Sequence, residues 1–134
     1  MVKLHGHHST MPDLKRLEIE PVVSRDEVAA IRQTVASLHL SDEMIAYIVS
    51  LVRATRTQPH LLHGASPRSA NMLATASRAL AALRGRAYAI PDDIKELFLP
   101  ALRHRVVLTP SAHIEGNSPE AILRQVLQLV PAPR

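Results

Sequence analysis

Residues Ser66 to Asn71 read Ser-Pro-Arg-Ser-Ala-Asn, a set of types suited to binding an anion. Ser66 suits an N-cap, and Pro67 suits the first helical position, where a missing N–H costs nothing. From there Met72, Leu73, Ala76, Ala79, Leu80 and Leu83 recur at helical spacing up to Gly85, which reads as the C′ stop. The other helix starts all carry acid in their first turn: Asp26 and Glu27, Asp42 and Glu43, Asp92 and Asp93, and Glu120. A carboxylate at the positive end of a helix is worth about 0.3–1 kcal/mol. The start at Ser66 has none, and Arg68 adds a cation. Free N–H groups beside a planar guanidinium that can grip two oxygens at once suit a phosphate. Arg53 and Arg56, one turn apart on the preceding helix, can point to the same place. A solvated face or an internal ion pair accounts for them equally well.

Other chemistries lack their residues. Gly6, Gly64, Gly85 and Gly116 cannot supply the phosphate loop Gly-x-x-x-x-Gly-Lys-Ser/Thr, and no strand is followed by acids that would hold magnesium. The chain alone is therefore not expected to hydrolyse ATP. No nucleophile elbow appears, and the serines sit mostly at helix caps. Asp92 and Asp93 read as exposed first-turn acids that stabilise a helix start rather than as paired catalytic carboxylates. No metal site is expected: His60 and His63 have no third ligand nearby, and His104 lies between Arg103 and Arg105. The absence of cysteine excludes disulfides and thiol chemistry and fits a cytoplasmic setting.

The net charge is +4, with both signs mixed along the chain, which reads as a solvated surface. Aromatics are only 2% of residues, and Tyr47, Tyr88 and Phe98 are scattered, so the stacking platform of a single-strand binder is missing. Nucleic acid is the second-ranked partner, through a small basic helical module that would use the helix beginning at Pro67. No apolar run approaches the roughly 18 residues of a membrane span.

The elements that must position Arg68 follow from pattern. With 134 residues the chain fits one domain, and a core of Leu, Ile, Val, Ala and Met favours helices. Residues 1–10 lack periodicity, and His5, His7 and His8 look like an affinity-tag remnant on a disordered tail, leaving 11–134 as the domain. Leu17 to Val23 can form a short extended segment. Ser24 with Glu27 makes a capping box for a first helix with Val28, Ile31, Val35 and Leu38 on its apolar face. A second helix starts at Ser41 and runs toward Thr57, and Gln58 to Ala65 reads as loop between Pro59 and Gly64. The Ala-rich third helix, from Pro67 to Arg84, is expected to be central. A fourth starts at Pro91, with a break expected at Pro100 and a further turn through His104. Val106 to Leu108 reads as a strand that could pair with Leu17–Val23, and Ser118 opens the last helix. The fold class is all-α, a compact bundle of about five helices with one short two-stranded β pairing.

Taken together, His63-Gly64-Ala65-Ser66-Pro67-Arg68, Arg78-Ala79, Leu83-Arg84-Gly85-Arg86, Pro91-Asp92-Asp93 and Leu102-Arg103-His104-Arg105 resemble the C-terminal lid of MoxR-type AAA+ ATPases. Tyr47-Ile48-Val49 and Ala54-Thr55-Arg56 resemble that family's preceding helix, and the likeness runs from about Pro21 to Pro133. The resemblance implies a helical lid that packs on a nucleotide-binding core carrying the Walker motifs, absent here. It implies that Arg68 is the sensor 2 arginine and that Arg68, Ser66, Pro67 and Arg56 border the nucleotide. ATP, with Mg2+ in the core, would be the cofactor, not held tightly by this piece alone. It also implies a homo-oligomeric ring, coupling of nucleotide state to ring conformation, and a chaperone-like role, often with von Willebrand A domain proteins.

Overall fold

The computed structural model describes residues 20–133. The chain divides into two units, one ending at Ile31 and one from Arg32 to Arg134. The tag-like tail and most of the extended segment expected at Leu17–Val23 lie outside the described residues; residues 20–23 form no strand.

Helix α1 (Arg25–Ser37) opens with the expected capping box. The Glu27 N–H donates to Ser24 Oγ at 3.2 Å, and the Ser24 N–H donates to Glu27 Oε2 at 2.7 Å. The Ser24 N–H, and after it the Ser24 hydroxyl, hold the Glu27 carboxyl below its ordinary range. Its expected apolar face buries no residue, and Ile31 is 55% exposed.

The second unit holds α2 (Asp42–Thr57), β1 (Leu61–His63), α3 (Pro67–Leu83), α4 (Pro91–Leu102), β2 (Val107–Leu108), α5 (Pro110–Ile114) and α6 (Pro119–Leu129). Helix α3 packs against α2 and α4, and α6 closes over the same two helices. Leu51, Leu73, Ile94, Phe98, Leu102, Ile122, Leu123 and Val126 are fully buried between them. Each such side chain contributes about 1.5–3 kcal/mol by leaving water, so the bundle needs few aromatics.

Helix α3 is central, as its small residues suggest, but the buried row differs from the expected stripe. Ser69, Leu73, Ser77 and Ala81 face inward at four-residue spacing, whereas Met72 and Leu83 are 39% and 86% exposed. The buried serine at 77 is tolerated because its hydroxyl donates to the Leu73 carbonyl at 2.8 Å. A hydroxyl satisfied within its own helix packs like a small residue and allows close approach. At the far end Gly85 adopts φ 69°. The Gly85 and Arg86 N–H groups close a Schellman motif on the carbonyls of Ala82 and Ala81, both at 2.9 Å.

Two expectations are corrected. Helix α4 continues through Pro100 and ends at Leu102; residues 103–105 form a turn. Proline forfeits only the bond to the carbonyl four residues back, and fully buried Leu102 holds the last turn in place. Strand β2 pairs antiparallel with β1, Leu61 opposite Leu108 and His63 opposite Val107, within the stretch expected to be loop. The three residues of β1 are too few to show a period, and their backbone groups are matched by a partner distant in sequence. Helix α5, capped by Thr109, has no counterpart in the sequence reading for the same reason of length.

Candidate functional site

The end of α2 and the start of α3 are joined by a tight clamp. Thr55, fully buried, donates its hydroxyl to the Val52 carbonyl at 2.7 Å and accepts the Ala65 N–H at 2.9 Å. The next residue, Arg56, donates Nε–H to the Ala65 carbonyl at 2.9 Å. Between these bonds Gly64 lies flat on the helix end. A Cβ there would stand 2.5 Å from the Thr55 carbonyl oxygen and 2.7 Å from the Arg56 Cα, so any side chain would push the loop away. The motif Ala54-Thr55-Arg56 and the motif Gly64-Ala65-Ser66 are thus two halves of one contact.

From this clamp the chain turns into α3. Ser66 has the backbone of an N-cap, φ −78° and ψ 163°, but its hydroxyl caps no N–H. It lies 3.4 Å from Ser69 Oγ, and the Ser69 N–H turns back to the Ser66 carbonyl at 2.9 Å. The expected serine cap is therefore a cap in backbone only, because the hydroxyl is turned toward Ser69. Elsewhere Ser24, Ser41, Thr109 and Ser118 each accept an N–H of their helix, and α4 has Asp93 accepting the Ile90 N–H at 2.9 Å. Among the described helices, α3 alone starts with neither a side-chain cap nor an acid in its first turn.

Arg68 sits on this start, exposed, with no hydrogen bond or ion pair to any described residue. Pro67 occupies the first helical position and brings no N–H. Of the two arginines on α2, Arg56 is drawn to the site by its bond to Ala65, with only Nε engaged, while Arg53 is exposed and unpaired among the described residues. The clamp residues Thr55 and Gly64 carried no role in the sequence reading. Their places in the motifs Ala54-Thr55-Arg56 and His63-Gly64-Ala65-Ser66-Pro67-Arg68 are the signals that mark them.

A second gathering of arginines has a different character. Asp93, expected to be an exposed helix acid, is fully buried, whereas its neighbour Asp92 is 74% exposed. Arg86 reaches Asp93 with two nitrogens, at 2.6 and 2.8 Å, and Arg84 adds a third contact at 3.0 Å. Burial pushes the Asp93 carboxyl up, but the Arg86 bonds, the Ile90 N–H and Arg84 together bring it below the ordinary carboxylate range. Arg84 also donates to Glu96 at 2.7 Å, and Arg78 donates to the Leu38 carbonyl at 3.0 Å. The motifs around Arg78, Arg84 and Asp93 hold the fold, and the one around Arg68 is left open.

Residues 53–126 match the family described as the AAA lid domain, which covers more than half of the chain. The chain belongs to this family. The lid is 37% identical over 115 residues to the uncharacterized protein YeaC of Bacillus subtilis, covering 86% of this chain and 36% of that protein. It is 33% identical over 126 residues to the chaperone MoxR1 of Mycobacterium tuberculosis, covering 87% of this chain and 33% of the relative. A solved structure from Cytophaga hutchinsonii, described as a candidate ATPase, superposes with a TM-score of 0.80 at 32% identity over 86% of this chain and 38% of that one. The lid thus spans about a third of the length of these relatives. No described helix of the lid is long and apolar enough to cross a membrane.

Proposed function

We propose that this lid works as part of a MoxR-type AAA+ ATPase, with Arg68 as the sensor 2 arginine that grips the terminal phosphates of ATP. The observation that carries the reading is the start of α3, uncapped, free of acid and topped by an unpaired arginine. The Arg68 N–H, left over while the Ser69 N–H returns to the Ser66 carbonyl, and the free Arg68 guanidinium fit a phosphate, for both have donors to give. Ser66 and Arg56 border the same place, and Arg56 has its two terminal nitrogens to offer beyond Nε. ATP, bound with Mg2+ on a core domain of the parent chain, would supply the negative charge and the bond that is cleaved.

Arg68 then acts as a charge-dependent latch. It draws the lid toward the core while the terminal phosphate is present, and its hold weakens when that charge leaves. Because the clamp ties α2 to α3, the lid can turn as a rigid body, and in a homo-oligomeric ring that turn would report nucleotide state to a neighbour. A cytoplasmic chaperone-like role, with von Willebrand A domain proteins among the partners, belongs to the same reading.

Replacing Arg68 with alanine in the complete protein tests it. ATP turnover is expected to fall on the order of 10²-fold, the cost of removing one well-placed donor to developing charge, with no loss of melting temperature. Unchanged turnover would overturn the role of Arg68. Micromolar binding of duplex DNA with a steep salt dependence would instead favour the basic nucleic-acid module.

A further inference from the structure

We infer that Thr55 is a positioning residue for Arg68: its buried hydroxyl, with Gly64 as the gap that lets it reach, sets where the start of α3 stands. Thr55 has this role only if Arg68 binds phosphate as proposed above.

Three observations lead to it. Thr55 is a polar side chain with no exposure to solvent. Both of its bonds are spent on backbone: donation to the Val52 carbonyl orients the hydroxyl, and that orientation leaves a lone pair for the Ala65 N–H. Ala65 is itself fully buried and stands three residues before Arg68, separated from it only by Ser66 and Pro67, whose ring restricts the intervening backbone. The chain between the clamp and the arginine therefore has little freedom.

The second bond to Ala65, from Arg56 Nε to the carbonyl, fixes the same residue from its other side. The N–H and C=O of one residue are thus both held by consecutive residues of α2. Sliding or rotating the start of α3 would require breaking both bonds, and the bare Gly64 backbone is what lets the loop lie this close to the helix end. A threonine is suited to this task where a valine of the same shape is not, because the hydroxyl both donates and accepts. Misplacement of a reactive-site group by about 1 Å can cost on the order of 10²-fold in rate.

The test is a double-mutant cycle in the complete protein, read as ATP turnover. Thr55→Val is expected to lose on the order of 10²-fold, as Arg68→Ala does, and Thr55→Ser to keep the wild-type rate. In the Arg68→Ala background Thr55→Val is expected to cost nothing further, because a residue acting through another has nothing left to position. A purely structural contribution would subtract its own factor in both backgrounds, and that outcome would overturn the inference. Wild-type turnover in Thr55→Val, with Arg68→Ala crippled, would overturn it too and leave the phosphate reading standing. Wild-type turnover in Arg68→Ala would overturn the phosphate reading itself.

Hydrogen exchange at the Ala65 amide gives a readout that does not depend on nucleotide: protection is expected to be lost in Thr55→Val and kept in Thr55→Ser. Full protection in Thr55→Val would show that the hydroxyl is not the clamp. Should Thr55→Val fail to fold, Gly64→Ala displaces the same loop by contact with the Thr55 carbonyl and enters the same cycle. Additivity of Gly64→Ala with Arg68→Ala would equally overturn the inference.

Discussion

The starts of α3 and α4 both gather arginine, and they treat it in opposite ways. At α4 the acid comes from within: Asp93 is buried, accepts from Arg84 and Arg86, and still takes the Ile90 N–H of its own helix start. Every charge there has a partner in the lid. At α3 no acid is present, the serine hydroxyl is turned aside, and Arg68 is left with donors and no acceptor. A fold stabilises itself by completing such sites, so a site left incomplete on a rigid clamp marks where a partner's charge is expected. The two starts differ in which molecule supplies the anion.

The comparison can be broken most forcefully at Asp93. Asp93→Ala leaves two arginines facing a vacancy, and we expect a loss of about 3 kcal/mol in urea unfolding, at the low end for a buried pair because Arg84 and Arg86 keep some contact with water. A loss as small as that of an exposed acid would show that Asp93 is no structural hub.

Acid sharpens the same point. The folded Asp93 carboxyl lies below its ordinary value of 3.8, so its contribution is fully present above that pH. That contribution is lost as pH falls from 3.8 through the folded value. Asp93→Asn is expected to flatten this acid limb of the stability curve, and an unchanged limb would assign it to other carboxyls.

The smallest effect is expected at Arg68, and it carries the opposite sign. Arg68→Glu puts an acid in the first turn of α3 and is expected to stabilise the lid by about 0.3–1 kcal/mol while abolishing ATP turnover in the complete protein. A residue that the fold does better without, and the activity cannot lose, is what a ligand-binding site predicts. Destabilisation by Arg68→Glu would mean that Arg68 contributes to the fold in a way its lack of partners conceals.

Much of the fold is legible from residues that act on their near neighbours. The Ser24–Glu27 box, the Ser41 and Ser118 caps, Pro67 and Pro91 at first positions and Gly85 at the end of α3 all operate within a turn, and each stands where the pattern puts it. The special character of the α3 start was visible too, because missing acid is a local fact. Asp93 was misread as exposed because its environment is made by Arg84 and Arg86, which come from the turn before it and converge only when α3 and α4 pack. The pairing of Leu61 with Leu108 was missed because β1 is too short to announce itself and lies far from β2 in the chain, so the strand read at Val106–Leu108 was given the wrong partner.

Alone, then, the sequence determined the five longer helices, where each of them starts and the unsatisfied charge at Arg68, since propensity, capping and helix dipoles are settled by residues within one turn. Only the tertiary structure decided which charges are buried, which face of α3 turns inward and what holds Arg68 in place. Those outcomes depend on closing loops between distant residues, as when Thr55 meets Ala65 across Gly64, and no local pattern encodes which groups meet when the loop closes.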